Sequence, residues 1–321
     1  MKAPQFWYRP PGILSTSLLP LGWIYSTFAS CVRSLKKTQK FPIPIISIGN
    51  IVCGGAGKTP VALSLAKLLQ SKGLSVHFVT RGYKGSEMGP LQVNSKQTPQ
   101  EVGDEALLLA QQAPTWVAKS RGDGISKAIE NGAELVILDD GHQTKGLVKD
   151  ISFVVVDSMQ GFGNGYPLPA GPLRETLSEG LRRADGFICI GKNKQAFSLQ
   201  PCFKATLELK PLTLPKKRVV AFCGIGFPQK FYQSVKDMNF NLVAEENFPD
   251  HYVYKEQDLF RLEKLAQSHN AVLITTRKDW IKIDPSWQER LHVLDMNIQF
   301  QDEEELYHFI LGKIPTLMEK S

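Results

Sequence analysis

The stretch Ile45-Ile46-Ser47-Ile48-Gly49-Asn50-Ile51-Val52-Cys53-Gly54-Gly55-Ala56-Gly57-Lys58-Thr59-Pro60 constrains this chain more than any other part of it. The β-branched run over 45–48 reads as a buried strand, the glycines as a tight turn leading into Gly57-Lys58-Thr59, and the residues from Pro60 onward as a helix. Small residues let successive backbone N–H groups turn inward around a phosphate, and the positive end of the following helix faces the same point. In such a loop, spanning Gly54, Gly55, Ala56, Gly57, Lys58, Thr59 and Pro60, the lysine reaches the β- and γ-phosphates of a nucleotide and the Thr59 hydroxyl faces Mg²⁺. The strict pattern has a glycine six positions before the lysine; here Val52 stands there.

A loop of this kind belongs in an α/β fold, and the sequence around it alternates accordingly. Strands are expected over 45–48, 76–80, 115–118, 135–138, 153–156 and 186–190, with helices over 60–72, 104–112 and 122–131. Continuous apolar runs such as Leu135-Val136-Ile137-Leu138 suit strands covered on both faces, hence a largely parallel sheet. A P-loop NTPase-like domain over 41–210 follows. Residues 202–210 alternate in polarity, and Pro211, Pro215 and Lys216-Lys217-Arg218 look like a short β linker. A second, smaller α/β domain is expected over 211–321, with strands at 219–223, 241–245, 271–275 and 291–300 and helices at 230–238, 256–268 and 303–311. A chain of 321 residues accommodates two such units.

The net charge of +7 calls for an anionic partner. Residues 10–32 carry no charge and lie between Arg9 and the cluster Arg33, Lys36, Lys37 and Lys40. Leu14, Leu18, Leu21, Tyr25, Phe28, Val32 and Leu35 form one helical stripe, widened by Leu19, Trp23 and Ile24. Serines and Pro20 make the segment too mixed to span a bilayer, so 1–40 reads as a membrane-associating helix in the interface with its basic flank on anionic headgroups. A helix packed on the protein's own core is the alternative, as is a leader ending near Phe28-Ala29-Ser30-Cys31, although a nucleotide site argues against export. The five cysteines are scattered without a C-x-x-C pair, which argues against a zinc site or a disulfide framework and suits a reducing compartment.

Acidic residues cluster at two points. The strand 135–138 ends in Asp139-Asp140-Gly141, where a carboxylate beside the phosphate loop is placed for a metal contact; Asp-Gly is also an ordinary turn. Gly103-Asp104-Glu105 opens a helix. There the two acids either complement its dipole, at about 0.3–1 kcal/mol each, or supply a base and a metal-associated carboxylate facing the γ-phosphate. Thr80-Arg81-Gly82-Tyr83 and Pro169-Ala170-Gly171-Pro172-Leu173-Arg174-Glu175 carry arginines suited to phosphate, or to surface ion pairs. Asp250-His251-Tyr252 places a lone histidine, structural or catalytic, in a loop of the second unit.

Together these motifs resemble the tetraacyldisaccharide 4'-kinase (lipid A 4'-kinase) family of Gram-negative bacteria. The resemblance runs from Phe6-Trp7-Tyr8 through the glycine loop, Arg81-Gly82-Tyr83, Gly103-Asp104-Glu105, Asp139-Asp140-Gly141, Gly171-Pro172-Leu173-Arg174-Glu175 and Asp250-His251 to Thr275-Thr276 with Lys278-Asp279. The family also lacks the first loop glycine. It implies that ATP phosphorylates the 4'-hydroxyl of a tetraacylated glucosamine disaccharide 1-phosphate at the cytoplasmic face of the inner membrane, by a peripheral enzyme. It further implies Asp104 as base with His251 tuning it, Lys58 on the phosphates, and Thr59, Asp139 and Glu105 around Mg²⁺. Arg81, Tyr83, Arg121, Asp140 and Arg174 would contact substrate or phosphate. His142, Thr144, Tyr252 and Arg277 depart from the family pattern, and acyl or sugar contacts are expected of them. A monomer that binds no nucleic acid is expected. A GTPase or metal-insertion ATPase of the same class is the competing enzyme reading; Lys192-Asn193-Lys194-Gln195-Ala196 has Ala196 where guanine recognition needs an aspartate. A nucleotide-binding membrane scaffold without turnover is the non-enzymatic one.

Overall fold

A computed structural model describes residues 4–34, 38–191, 200–215 and 217–320. The run at 192–196, Lys36, Lys37, Leu35 and Lys216, and the side chains of Phe28, Val32 and Arg33, lie outside the described residues.

After a 3₁₀ turn (Gln5–Tyr8) come α1 (Ile13–Ser17) and α2 (Leu19–Ser34). The nucleotide-type lobe follows: β1 (Ile45–Gly49), α3 (Lys58–Ser71), β2 (Val76–Thr80), β3 (Leu91–Gln92), α4 (Pro99–Val102), α5 (Asp104–Ala110), β4 (Thr115–Val117), α6 (Arg121–Glu130), β5 (Leu135–Asp139), β6 (Ile151–Asp157), α7 (Leu177–Arg182), β7 (Gly186–Ile190) and β8 (Cys202–Leu209). The smaller lobe holds β9 (Arg218–Cys223), α8 (Pro228–Asp237), β10 (Asn241–Asn247), α9 (Glu256–Ser268), β11 (Val272–Thr276), α10 (Arg277–Trp280), α11 (Pro285–Gln288) and β12 (His292–Leu294). The chain ends in β13 (Met296–Phe300) and α12 (Glu303–Lys313), followed by a 3₁₀ turn.

Among the described residues the large sheet runs β13-β8-β7-β6-β1-β5-β2-β4-β3 and the small one β10-β9-β11-β12. The central strands of the large sheet are parallel, and only the edge strands β3 and β13 pair antiparallel. β1 lies between β5 and β6, with Ile48 beside Asp139. The strand that feeds the glycine loop therefore ends level with the strand that ends in two acids, where an open α/β sheet forms its crevice. The small sheet is all parallel with β9 inside, which puts the loops after β9, β10 and β11 together at one end.

The expectation of one smaller domain over 211–321 with a strand at 291–300 needs correction. Those residues form two strands broken at Asp295, one in each sheet. β13 pairs with β8 from Met296–Leu209 to Phe300–Ala205. Leu306, Ile310 and Ile314 then join the core formed by Ile46, Leu65 and Ile137. The physical reason is burial: the apolar face of α12 covers α3 and the flank of the sheet that β13 extends. Two chain segments thus cross side by side between the lobes, with Lys210 N–H donating to the Asp295 carbonyl at 3.1 Å.

The faces that α1 and α2 turn to the protein are lined by small residues. Ser15, Gly22 and Ser26 are buried, and a β-carbon on Gly22 would lie 3.1 Å from the Pro167 carbonyl. Ile13 (94% exposed), Leu21, Trp23 and Ile24 face outward. An amphipathic helix on its own core shows the reverse, so among the described residues the stripe does not pack on the core. No helix among the described residues is long and apolar enough to cross a membrane.

Ile310, fully buried on α12, tests the assignment of the C-terminus to the large lobe. Ile310→Ala is expected to lower unfolding free energy by about 2–4 kcal/mol in urea titrations; a loss below about 0.5 kcal/mol, the range of surface substitutions, would refute it.

Candidate active site

The glycine loop begins where β1 meets the acidic loop. A β-carbon on Gly49 would fall 2.4 Å from that of His142, so only glycine lets the two backbones approach. Val52, where the strict pattern has glycine, forms an antiparallel bridge with Leu173 and packs in the core with Ala56. The loop is thus stitched to the segment carrying Arg174, with Cys53 N–H donating to the Pro172 carbonyl (2.7 Å) and Arg174 N–H to that of Ile51 (2.8 Å). Gly57 has φ +81° as the N-cap of α3, which points the first amides of that helix into the loop. Pro60 sits in its first turn, where a missing N–H costs nothing. Gly54 and Gly55 are exposed at the rim.

Lys58 lies 3.6 Å from Asp140, and Arg174 grips both oxygens of that carboxylate at 3.0 Å. Burial opposes ionisation of Asp140, but Lys58 and Arg174 outweigh it and hold the carboxyl at about 2. Its neighbour behaves in the opposite way. Asp139 is fully buried; burial, then Glu105 and Asp140, push it up to about 7. The Thr59 hydroxyl donates to its Oδ2 at 3.2 Å, while Oδ1 has no hydrogen-bond partner.

Asp104 opens α5 after Gly103, whose φ of +86° fits the chain against the Tyr83 carbonyl. Its Oδ1 accepts the Glu105 N–H at 3.0 Å, so the acid does serve the helix end. It serves the other lobe as well: His251 Nδ1 lies 3.0 and 2.9 Å from the two Asp104 oxygens. Burial raises the Asp104 carboxyl, yet the His251 hydrogen bond and the Lys278 charge bring it below the ordinary aspartate value. His251 has φ +60°, an uncommon backbone state for a residue other than glycine. The edge-on Tyr83 ring stands 5.4 Å from its own. A cavity of about 160 Å³ opens there, lined by Tyr83, Lys84, Gln100, Asp104, His251 and Lys282 among others. Further contacts tie the lobes: Lys230 pairs with Asp157, and a β-carbon on Gly226 would lie 3.6 Å from Asp250 and 3.8 Å from the Gly55 nitrogen.

The remaining expected site residues divide. Arg81 is exposed; burial first, and then the Arg81 charge, bring the pKa of the Arg121 guanidinium down to about 10. Arg121 is buried and donates to the carbonyls of Asp139 (2.8 Å) and Asp140 (2.9 Å) and to Thr144. It shapes the acidic loop rather than reaching toward phosphate. The side chains that depart from the family pattern are all engaged with the protein itself. His142 is fully buried between the Ser152 hydroxyl and the Gly180 carbonyl, both at 3.0 Å, and burial holds its ring down at about 4. Tyr252 donates to Asp258 at 3.1 Å, and Arg277 pairs twice with Asp295. Lys278, beside His251, is the residue the motifs named without a role; Lys149, donating to the carbonyls of Gly141, His142 and Thr144, was missed altogether.

A family model described as tetraacyldisaccharide-1-P 4'-kinase matches residues 14–315. The tetraacyldisaccharide 4'-kinase of Paramagnetospirillum magneticum is 43% identical over 311 residues, covering 94% of this chain and 95% of that one. The enzyme of the same name from Rhodospirillum rubrum is 39% identical over 332 residues, covering 98% and 100%. A crystal structure of LpxK from Aquifex aeolicus in complex with ATP superposes with a TM-score of 0.79 at 29% identity, over 94% of this chain and 99% of that one.

The raised Asp139 carboxyl has a consequence for stability. In the unfolded chain it ionises near pH 4, whereas the folded protein holds its proton up to about 7. Stability from this group is therefore lost as pH rises from about 4 to 7, because the unfolded chain releases a proton that the folded one retains. In ligand-free protein, Asp139→Asn is expected to raise Tm at about pH 7.5 and to change it little near pH 4. An equal effect at both values would refute the buried-charge assignment.

Proposed function

Because the chain belongs to the tetraacyldisaccharide-1-P 4'-kinase family, we propose that its glycine loop takes ATP and that Asp104 receives the proton of the 4'-hydroxyl of a tetraacylated glucosamine disaccharide 1-phosphate as the γ-phosphate is transferred. The observation that carries this reading is the Asp104–His251 contact between lobes, beside the loop that holds Lys58.

A sugar hydroxyl is a weak nucleophile, and phosphoryl transfer through a loose transition state asks mainly for alignment and charge stabilisation. Asp104 accepts a hydrogen bond from the hydroxyl and its proton late in the step. His251 keeps the carboxylate in place. Lys58 and Arg174, now shared with Asp140, neutralise charge that builds on the departing β-phosphate oxygen. The smaller lobe, closing on the loop as substrates bind, excludes water that would divert the γ-phosphate to hydrolysis.

Mg²⁺ fits this donor set. The free Oδ1 of Asp139 and the Thr59 hydroxyl are hard oxygen donors beside the loop. Among the described residues no group of three His, Cys, Asp or Glu side chains could hold a metal unaided, as suits an ion that keeps waters and takes phosphate oxygens. Thr59 and Asp139 would hold it, with Glu105 near; bound there, it would neutralise phosphate charge.

The outward apolar side of α1 and α2 supports a peripheral place on the cytoplasmic face of the inner membrane, where such a lipid is met. Leu21→Ser, Trp23→Ser and Ile24→Ser together are expected to weaken sedimentation with anionic vesicles by about tenfold or more, with Tm nearly unchanged. A triple variant that still sediments like the parent would sink this placement.

The kinase reading is tested with γ-labelled ATP and the purified disaccharide lipid in detergent micelles. Label is expected on the 4' position, and Lys58→Ala is expected to retain less than about a tenth of kcat, a loss of at least ~1.4 kcal/mol. Lipid-independent ATP hydrolysis by the parent protein would favour the alternative P-loop reading.

A further inference from the structure

Lys278 lies where the lobes meet. Its ammonium is 3.4 Å from His251 Nε2, 3.3 Å from Asp250 Oδ1, 3.8 Å from Asp104 Oδ2 and 3.9 Å from Glu105 Oε1. The short helix that carries it is fixed by the buried Asp279, which accepts from the Thr276 hydroxyl at 2.7 Å and the Tyr254 hydroxyl at 2.9 Å and pairs with Lys282 at 2.7 Å. Lys278 is thus held on a braced backbone.

An ammonium can only donate. The ring nitrogen facing it must present a lone pair, so Nε2 of His251 accepts and the proton of the neutral ring is on Nδ1. Nδ1 then donates to Asp104, at the 2.9–3.0 Å already described. Asp250 Oδ2, 3.7 Å from Nε2, would by itself favour a proton on that nitrogen; Lys278 opposes this twice, by facing Nε2 and by pairing with Asp250. We propose that Lys278 is a positioning residue that fixes His251 as the neutral Nδ1–H tautomer, so that the ring always offers Asp104 a donor. With the ammonium removed, a carboxylate flanks each ring nitrogen, and a proton on Nε2, in the other tautomer or in the imidazolium, is no longer opposed. The proposal rests on the reading of Asp104 as the proton acceptor. It adds a lysine that acts through the histidine rather than on the phosphates.

Two measurements test it. In ¹⁵N-histidine-labelled, ligand-free protein, with His251 assigned by its loss in His251→Ala, Nδ1 is expected to be protonated and Nε2 bare. Lys278→Arg should keep that signature and Lys278→Met should lose it. In the transfer assay, Lys278→Met is expected to lower kcat by about 10- to 100-fold, the range seen when a residue that orients a functional histidine is removed, with KM for ATP within about threefold. Lys278→Arg should recover most of the loss. In the His251→Ala background, Lys278→Met should change kcat by less than about threefold, because groups acting as a unit are not additive. A proton on Nε2 of the parent protein, or the same loss in both backgrounds, overturns the proposal. If the parent protein transfers no phosphate, the kinase reading fails, and the tautomer measurement still decides this one.

Discussion

Five carboxylates, Asp104, Glu105, Asp139, Asp140 and Asp250, converge where the two lobes face each other, and their mutual repulsion must be balanced before anything else there can work. The balance is uneven. Asp140 has Lys58 and Arg174 against it and stays ionised to about 2, whereas Asp139, one residue away, has neither in contact and is pushed up to about 7. Adjacent groups driven apart in this way can hold different protonation states at one pH.

The cations that settle the balance come from separate parts of the chain. Lys58 belongs to the first turn of α3, Arg174 to the strand-like segment bridged to the glycine loop, and Lys278 to the smaller lobe. Burial opposes the Lys278 charge, but Asp104, Glu105 and Asp250 more than restore it. The charge balance at the centre therefore depends on both lobes, and separating them would take the Lys278 ammonium away from Asp104 and Glu105.

Much of this was legible in the sequence because it is local. Gly57, Lys58 and Thr59 announce a phosphate loop through spacing alone, and apolar runs such as 135–138 announce covered parallel strands. The partition of the C-terminus was not legible. The polarity pattern of 291–300 continues through Asp295, and whether each half joins one sheet or the other depends on partners such as Leu209, far away in sequence. His142 and Thr144 misled for a related reason: a polar residue in a reactive motif suggests a ligand contact, whereas burial among Ser152, Gly180 and Arg121 depends on tertiary packing. The Lys278 motif was visible, but its meaning depends on distances between lobes. The N-terminal stripe was also visible, and its orientation was written in Ser15, Gly22 and Ser26, the small residues between the large ones.

The paired crossings at Leu209–Lys210 and Asp295–Met296 make the smaller lobe an insertion within the larger one. A ribosome releases the chain from its N-terminus, and units fold as they emerge. β9 through β12 are complete before β13 and α12 exist, so the inserted lobe can form while the larger lobe still lacks its edge strand and the helix that closes over α3. The phosphate loop, although encoded early, stands on a core completed only by residues synthesised about 250 positions after it.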